Sequence, residues 1–301
     1  MTHEQLRIFV AVAERQHVTQ AAKELNLAQS AASSAVNNLE EELQARLFNR
    51  VGRGIELTEA GWVFLTEARA VLARADAARL RIAEFGELKR GRLRIHASQT
   101  IASYWLPRHL MAFRARYPGI EISMSVGNTA EVAASIHDGT AELGFVEGAV
   151  DDPNLLATRV AGDRMVLVVA PGHPWVEAGA VTARDLTATQ WVLREPGSGT
   201  RSEFEAALGS MGMALAALSV TIELPTNEAV RAAVEASLAA TVISASVAAP
   251  SLEAGLLHHV PFDLPERAFQ SLQHRERHQS RSVHALLELI GGRTDRKLVL
   301  L

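Results

Sequence analysis

Between Ala21 and Leu43 the chain sets two helical patterns almost end to end, "AAKELNLAQSAASSAVNNLEEEL", with room for only a tight turn between them. Ala21, Ala22 and Leu25 supply the inward contacts of the first pattern, and side chains as small as alanine let helices approach closely. Ahead of them Leu6, Phe9, Val10 and Ala13 recur at helical spacing and give an earlier helix of about three turns. Thr19 is expected to cap the second helix, Asn26 and Leu27 to turn the chain, and Gln29 to open a third helix. The inward face of that third helix reads Ala32, Val36, Leu39 and Leu43. Its outward face is Ser30, Ser33, Ser34, Asn37 and Asn38, with Glu40, Glu41 and Glu42 as an acidic end.

Three short helices with a tight turn before the third make a helix-turn-helix. A small, polar, uncharged face of this kind can lie in the DNA major groove, where Gln29, Ser30, Ser33, Ser34 and Asn37 would bond base edges or phosphates. The same pattern also fits an ordinary three-helix core with a solvated face. The next segment, "ARLFNRVGRGIELTEAG", favours DNA: Arg46, Arg50 and Arg53 surround two glycines and lead into an alternating Ile55-Glu56-Leu57. That is a basic β-wing, able to reach phosphates or a narrow minor groove. The formal net charge is −4, so attraction to nucleic acid must come from the placement of charge, and a monomer should bind weakly.

Thr58 is placed to cap a new helix, and residues 59 to 88 carry no proline and a stripe of Val63, Ala70, Ala73, Ala77 and Leu80. An alanine-rich stripe needs close cover. A two-fold partner helix would give it, and would set two winged domains one turn of DNA, roughly 34 Å, apart.

After the basic hinge "ELKRGRLRIHAS" the composition changes, and a second domain begins near Arg92. "RLRIHAS", "IEISMSVG", "AELGFVEG", "DRMVLVVAP" and "ATVISAS" read as strands, separated by helical patterns at Leu106 to Ala115, Glu131 to Asp138, Arg201 to Met211 and Asn227 to Ala236. Such alternation predicts an open, mostly parallel α/β sheet, whose ligands bind at the carboxyl ends of strands. Those ends carry Ser98-Gln99-Thr100, Gly127-Asn128-Thr129 and Glu147-Gly148. A fourth loop, "EPGSGTR" from Glu195 to Arg201, precedes a helix and offers free backbone N–H groups to an anion. Each hydroxyl taken singly reads better as a helix cap; four converging loops favour a ligand.

Several classes of function are disfavoured. Cysteine is absent, which removes disulfide frameworks, thiolate metal sites and a cysteine nucleophile. "GSG" at Gly197 to Gly199 is not a nucleophile elbow, so an enzyme has little support. "HRERH", His274 to His278, spaces two histidines at i, i+4, but Arg275 and Arg277 would repel a cation; no metal and no cofactor is expected. The start "MTHEQLRIFVAVAERQ" lacks a signal-peptide layout, and the apolar stretches Ala206 to Val220 and Val230 to Ala249 are interrupted by glycine, serine or charge. A cytoplasmic protein with no membrane partner is expected. With 301 residues, 48% of them hydrophobic, more than one domain is expected.

The segment "LRIFVAVAERQHVTQAAKELNLAQSAASSAVNNLEEELQARLFNRVGRGIELTEAG" resembles the DNA-binding domain of the LysR-type transcriptional regulators, through the joint spacing of Phe9, Ala21-Ala22, Leu25, Gln29, Ser33, Leu39-Glu40, Leu47-Phe48, Arg50 and Thr58-Ala60-Gly61. Ser34 and Ala35 stand where many members carry a basic or larger polar side chain, which shifts weight to Arg50 and Arg53. The remainder resembles the family's effector domain, two lobes related to periplasmic solute-binding proteins. The resemblance implies a winged helix-turn-helix domain over 1–58, a linker and dimerisation helix over 59–89, an effector domain over 92–292 and a tail over 293–301. The first lobe is expected over about 92–162 and 268–292, the second over about 163–267.

By position, Ser98, Thr100, Asn128, Thr129 and Glu147 would line one wall of the effector cleft. Gly199, Thr200 and Arg201 would line the other, with Thr226 or Asn227 at the rim. Glu147 suits an anion there only if it holds Arg201 or a hydroxyl. "ASQTIASYWLP", "VGNT", "FVEG" and "EPGSGTR" most resemble members that control carbon dioxide fixation or sulfur assimilation, which implies a sulfur oxyanion or a phosphorylated or carboxylated metabolite. The implied partners are double-stranded operator DNA, further copies of the chain as dimer or tetramer, and RNA polymerase. The α/β half alone would also fit a solute-binding protein, which would not retain DNA.

Overall fold

The computed structural model describes residues 1–51, 54–83, 91–179 and 181–297, and divides into two compact units. The first opens with α1 (His3–Arg15), where Thr2 and Gln5 cap one another: the Gln5 N–H donates to Thr2 Oγ1 at 3.2 Å and the Thr2 N–H to Gln5 Oε1 at 2.7 Å. α2 (Val18–Glu24) begins two residues earlier than a Thr19 cap would set it, because His17 Nδ1 accepts from the Gln20 N–H at 3.4 Å and takes the capping position. Asn26 turns the chain with a positive φ of 55°, and α3 runs Gln29–Leu43. β1 (Phe48–Val51) and β2 (Gly54–Leu57) form the antiparallel wing, and α4 spans Glu59–Ala83. The stretch expected to continue that helix beyond Ala83, like the wing residue Arg53, lies outside the described residues.

Leu6, Phe9, Leu39, Leu47, Leu57, Leu65 and Ala68 form one core of this unit, and Ile8, Val12, Ala21, Ala22, Ala32 and Val36 another. Phe9 joins the helices to the wing, with its ring 5.4 Å from that of Phe48 and 4.9 Å from that of Phe64. Gly61 lets α4 close on the wing, since a Cβ there would lie 2.2 Å from the Leu47 carbonyl oxygen. Thr58 caps α4 as expected, accepting from the Gly61 N–H at 2.9 Å.

Two expectations for α3 are corrected. Leu43 is 37% exposed and stands outside the core. Glu40 points inward instead of joining the acidic end, because the chain entering the wing has two N–H groups to satisfy: Leu47 and Phe48 donate to Glu40 Oε1 at 2.7 and 3.1 Å, and Arg46 Nη1 donates to Oε2 at 2.9 Å. Glu40→Gln keeps an acceptor and loses the charge, so we expect the unit to lose about 1 kcal/mol, read by urea denaturation.

The second unit is a nine-stranded sheet in the order β4-β3-β5-β11-β6-β9-β7-β8, with β10 on β6. β3 (Gly91–Ser98), β4 (Ile120–Gly127) and β5 (Leu143–Glu147) are parallel, as are β7 (Gln190–Arg194), β8 (Ser219–Leu224) and β9 (Ala239–Ser244). The long β6 (Leu155–Val169) and β11 (Glu266–His274) are antiparallel to each other and to their neighbours. They join the two lobes. β10 (His258–Val260) carries His258 and His259 alongside β6.

Six helices fill the connections: α5 (Leu106–Arg116), α6 (Thr129–Asp138), α7 (Trp175–Ala178), α8 (Gly199–Ser210), α9 (Asn227–Glu235) and α10 (Ala245–Glu253). α11 (Arg281–Lys297) closes the chain and sends Val283, Leu286 and Ile290 into the core with Leu93, Phe113 and Phe145. The "HRERH" segment is a brace: Arg277 donates to the Ile136 and His137 carbonyls at 2.5 and 2.7 Å, satisfying the carboxyl end of α6. Among the described residues no helix is long and apolar enough to cross a membrane, and no group of three or more His, Asp or Glu is placed to hold a metal.

Candidate functional site

In the first unit α3 and the wing frame a groove of about 450 Å³, lined by Ser33, Asn37, Arg46, Asn49 and Arg50 among others. Gln29, Ser30, Ser34, Asn37 and Arg50 are exposed, and Ser33 is half-buried. Gln29 Nε2 donates to Ser33 Oγ at 2.8 Å, which holds the first turn's amide over the face. Asn49, on β1 next to Arg50, is a polar wing residue that the sequence pattern did not single out. Hydrogen-bonding side chains on a protruding helix beside an exposed arginine can follow a duplex groove and its phosphates.

In the second unit the strand ends meet. Ser98, Thr100, Thr129, Glu147, Gly199, Thr200 and Asn227 are buried together with Ser198, while Asn128 and Arg201 are half-buried. Asn227, fully buried at the start of α9, is the central tie between the lobes. Its backbone N–H donates to Gln99 Oε1 at 2.6 Å, its Nδ2 to Thr100 Oγ1 at 3.0 Å, and its Oδ1 accepts from Arg194 Nη1 at 2.7 Å. Arg194 also holds Glu195 at 2.8 Å, to which Asn128 Nδ2 donates at 3.4 Å. Tyr104 closes the far edge, donating to Glu228 at 3.2 Å, and burial followed by the Glu228 charge raises its phenol pKa.

Arg201 turns away from this seam. It pairs with Glu205 at 2.8 Å and with Glu223, and donates to the Arg194 carbonyl at 3.2 Å. The guanidinium beside the start of α8 comes instead from Arg267 on β11. Arg267 is 2% exposed, and its Nη1 donates to Thr200 Oγ1 at 3.1 Å. Asp163 on β6 accepts from its Nε and Nη2 at 2.8 and 2.5 Å. Glu147 holds a hydroxyl, accepting from Ser98 Oγ, and its Oε1 lies 4.0 Å from Arg267 Nη1. Sequence reasoning missed Arg267, Asp163 and Arg194. The signal for the first was an arginine in phase with Phe269 and Ser271 on an alternating strand, the phase that faces inward.

Comparison with known proteins gives this arrangement a relative. Residues 3–62 match the bacterial regulatory helix-turn-helix protein, lysR family, and residues 86–295 match the LysR substrate binding domain. The chain belongs to the LysR family. It is a LysR-type DNA-binding transcriptional regulator with an effector-binding domain, and no enzyme. Among relatives of this LysR-family chain, the HTH-type transcriptional regulator YeiE of Escherichia coli K12 is 34% identical over 290 residues, 96% of each chain. A probable RuBisCO transcriptional regulator of Cyanidioschyzon merolae is 32% identical over 286 residues, 93% of this chain and 94% of that one. A similar fold is that of a full-length single-site variant of OxyR from Pseudomonas aeruginosa, with a TM-score of 0.71 at 21% identity over 96% of this chain and 94% of that one. Full-length CbnR complexed with its target DNA has a TM-score of 0.68 at 24% identity, over 96% of this chain and 99% of that one.

Proposed function

We propose that this LysR-family regulator reads operator DNA with α3 and the wing, and that a small anion held between the lobes of the second unit controls that binding or the bending of the DNA. The carrying observation is the seam of hydroxyls, the start of α8 without a side-chain cap, and buried Arg267 around Thr200, a set of donors suited to an oxyanion. Residues 1–58 take the DNA-binding role with Gln29, Ser30, Ser33, Ser34, Asn37, Arg50 and Arg53 as contacts. Residues 59–89 link and dimerise, 92–292 bind the effector and 293–301 form a tail.

Self-association into a dimer or tetramer is supported by α4, which leaves Trp62, Val63 and Val71 exposed, Val63 at 65%. The effector reading extends to Ser98, Thr100, Asn128, Thr129, Glu147, Gly199, Thr200 and Asn227; Arg201 supports the helix start through Glu205 and Glu223. A sulfur oxyanion or a phosphorylated or carboxylated metabolite fits the donor set. Effector binding shifts the balance of two lobe arrangements by no more than its difference in affinity for them, and RNA polymerase, in the cytoplasm, reads the outcome.

Retention of the upstream DNA, titrated with and without sulfate, sulfite and phosphorylated metabolites, tests the reading. Arg50→Ala is expected to weaken retention about tenfold and lower the salt slope by about one. Thr100→Ala should keep retention and lose the response to ligand. Absence of sequence-selective retention under every condition would overturn the reading of α3 and the wing as operator contacts.

A further inference from the structure

We propose that Glu147 is a built-in competitor of the effector: its carboxylate occupies the cradle an anion would take, and an effector binds by displacing it. This rests on the anion-controlled cleft above. Glu147 ends β5 at 2% exposure, accepts from Ser98 Oγ and faces Arg267 at 4.0 Å. Its backbone carbonyl accepts from Thr129 Oγ1 at 2.7 Å and lies directly against the start of α8. A Cβ added at Gly199 would stand 2.0 Å from that oxygen and 2.7 Å from Glu147 Cγ. One buried side chain thus sits beside a serine hydroxyl, a guanidinium and a helix start, the donors that an oxyanion uses.

Charge excludes joint occupancy. Arg267 on β11 already binds Asp163 on β6 at 2.5 Å and faces Glu147 on β5. Glu203 on α8 feels both: burial raises its carboxyl pKa, Arg267 opposes the rise and Glu147 adds to it. One guanidinium faces two carboxylates and its charge reaches a third, and a further anion in so buried a seam meets repulsion that hydroxyls do not offset while Glu147 stays. The site therefore selects ligands able to replace a carboxylate at Ser98 and Arg267. Displacement of Glu147 also loosens the contact under Gly199, so occupancy is coupled to the seat of α8 on the first lobe.

The test is calorimetric titration of the full chain with inorganic sulfate and inorganic phosphate, in wild type, Glu147→Gln and Glu147→Ala. The alanine variant covers the case in which the new amide itself bonds Ser98. Both variants are expected to bind at least one anion tenfold or more tighter than wild type, with DNA retention and melting temperature showing that they are folded. Wild-type binding that neither variant improves would overturn the competitor role alone. No saturable binding of either anion to any of the three would overturn the anion-controlled cleft with it.

Discussion

Replacing Arg267 by methionine is expected to lower the stability of the second unit by about 3–5 kcal/mol, the cost of stripping one partner from a buried ion pair. Its side chain has no solvent exposure and that of Asp163 has 6%, so water cannot replace the lost donors. Among the described residues Asp163 would keep the Ser244 hydroxyl, at 3.1 Å. Asp163 lies on β6 and Arg267 on β11, the two strands that join the lobes, so the uncompensated charge falls at the junction. Urea denaturation followed by the fluorescence of Trp105, Trp175 and Trp191, all in this unit, reads the loss. Arg267→Met with Asp163→Leu removes both charges and should recover most of it, since an apolar pair of similar volume is often neutral or better. A single-variant loss below about 1 kcal/mol would mean that water reaches the pair, and a buried cation could no longer be credited to the cleft.

What the sequence disclosed and what it hid divide along the range of the interactions. The opening of α3 at Gln29, the wing strand Ile55 to Leu57, the Thr58 cap and β4 as "IEISMSVG" were all legible, because each depends on residues a few positions apart. Glu40 in an acidic run read as a solvated end; its inward turn depends on N–H groups of Leu47 and Phe48, which only the fold brings beneath it. Arg201 read as the cleft cation because it follows "PGSG", yet Glu205 one turn later and Glu223 on β8 capture it. The guanidinium that does reach Thr200 comes from a strand 67 residues further on, a pairing set by β6 and β11 that no local spacing announces. β7, β8, β10 and β11 were likewise left unassigned, short or mixed in polarity and recognisable chiefly by the neighbours they pair with. The stripe expected on α4 is half of another case: Leu65 and Ala68 are buried by the unit's own core, whereas Val63 is exposed, so periodicity found the helix but not which face its own domain covers.

Gly199→Ala should separate the two functions of the chain. Position 199 opens α8 with no positive φ, and alanine is the better helix former there by about 1 kcal/mol, so local backbone preference predicts a gain. The contact predicts the reverse. A Cβ would stand 2.0 Å from the Glu147 carbonyl oxygen and 2.6 Å from Thr129 Oγ1, and the first of these is backbone, which no rotamer change can move aside. We expect a net loss of about 1–3 kcal/mol from overpacking, with the start of α8 pushed off β5 and the ligand response of DNA retention abolished. Retention itself should remain at the wild-type level, because α3 and the wing belong to the other compact unit with cores of their own. Thermal melting and the retention titration read the two effects independently. A variant that melted and responded like wild type would show that the lobes part freely at this contact, and control by anion would then have to act away from the α8 start.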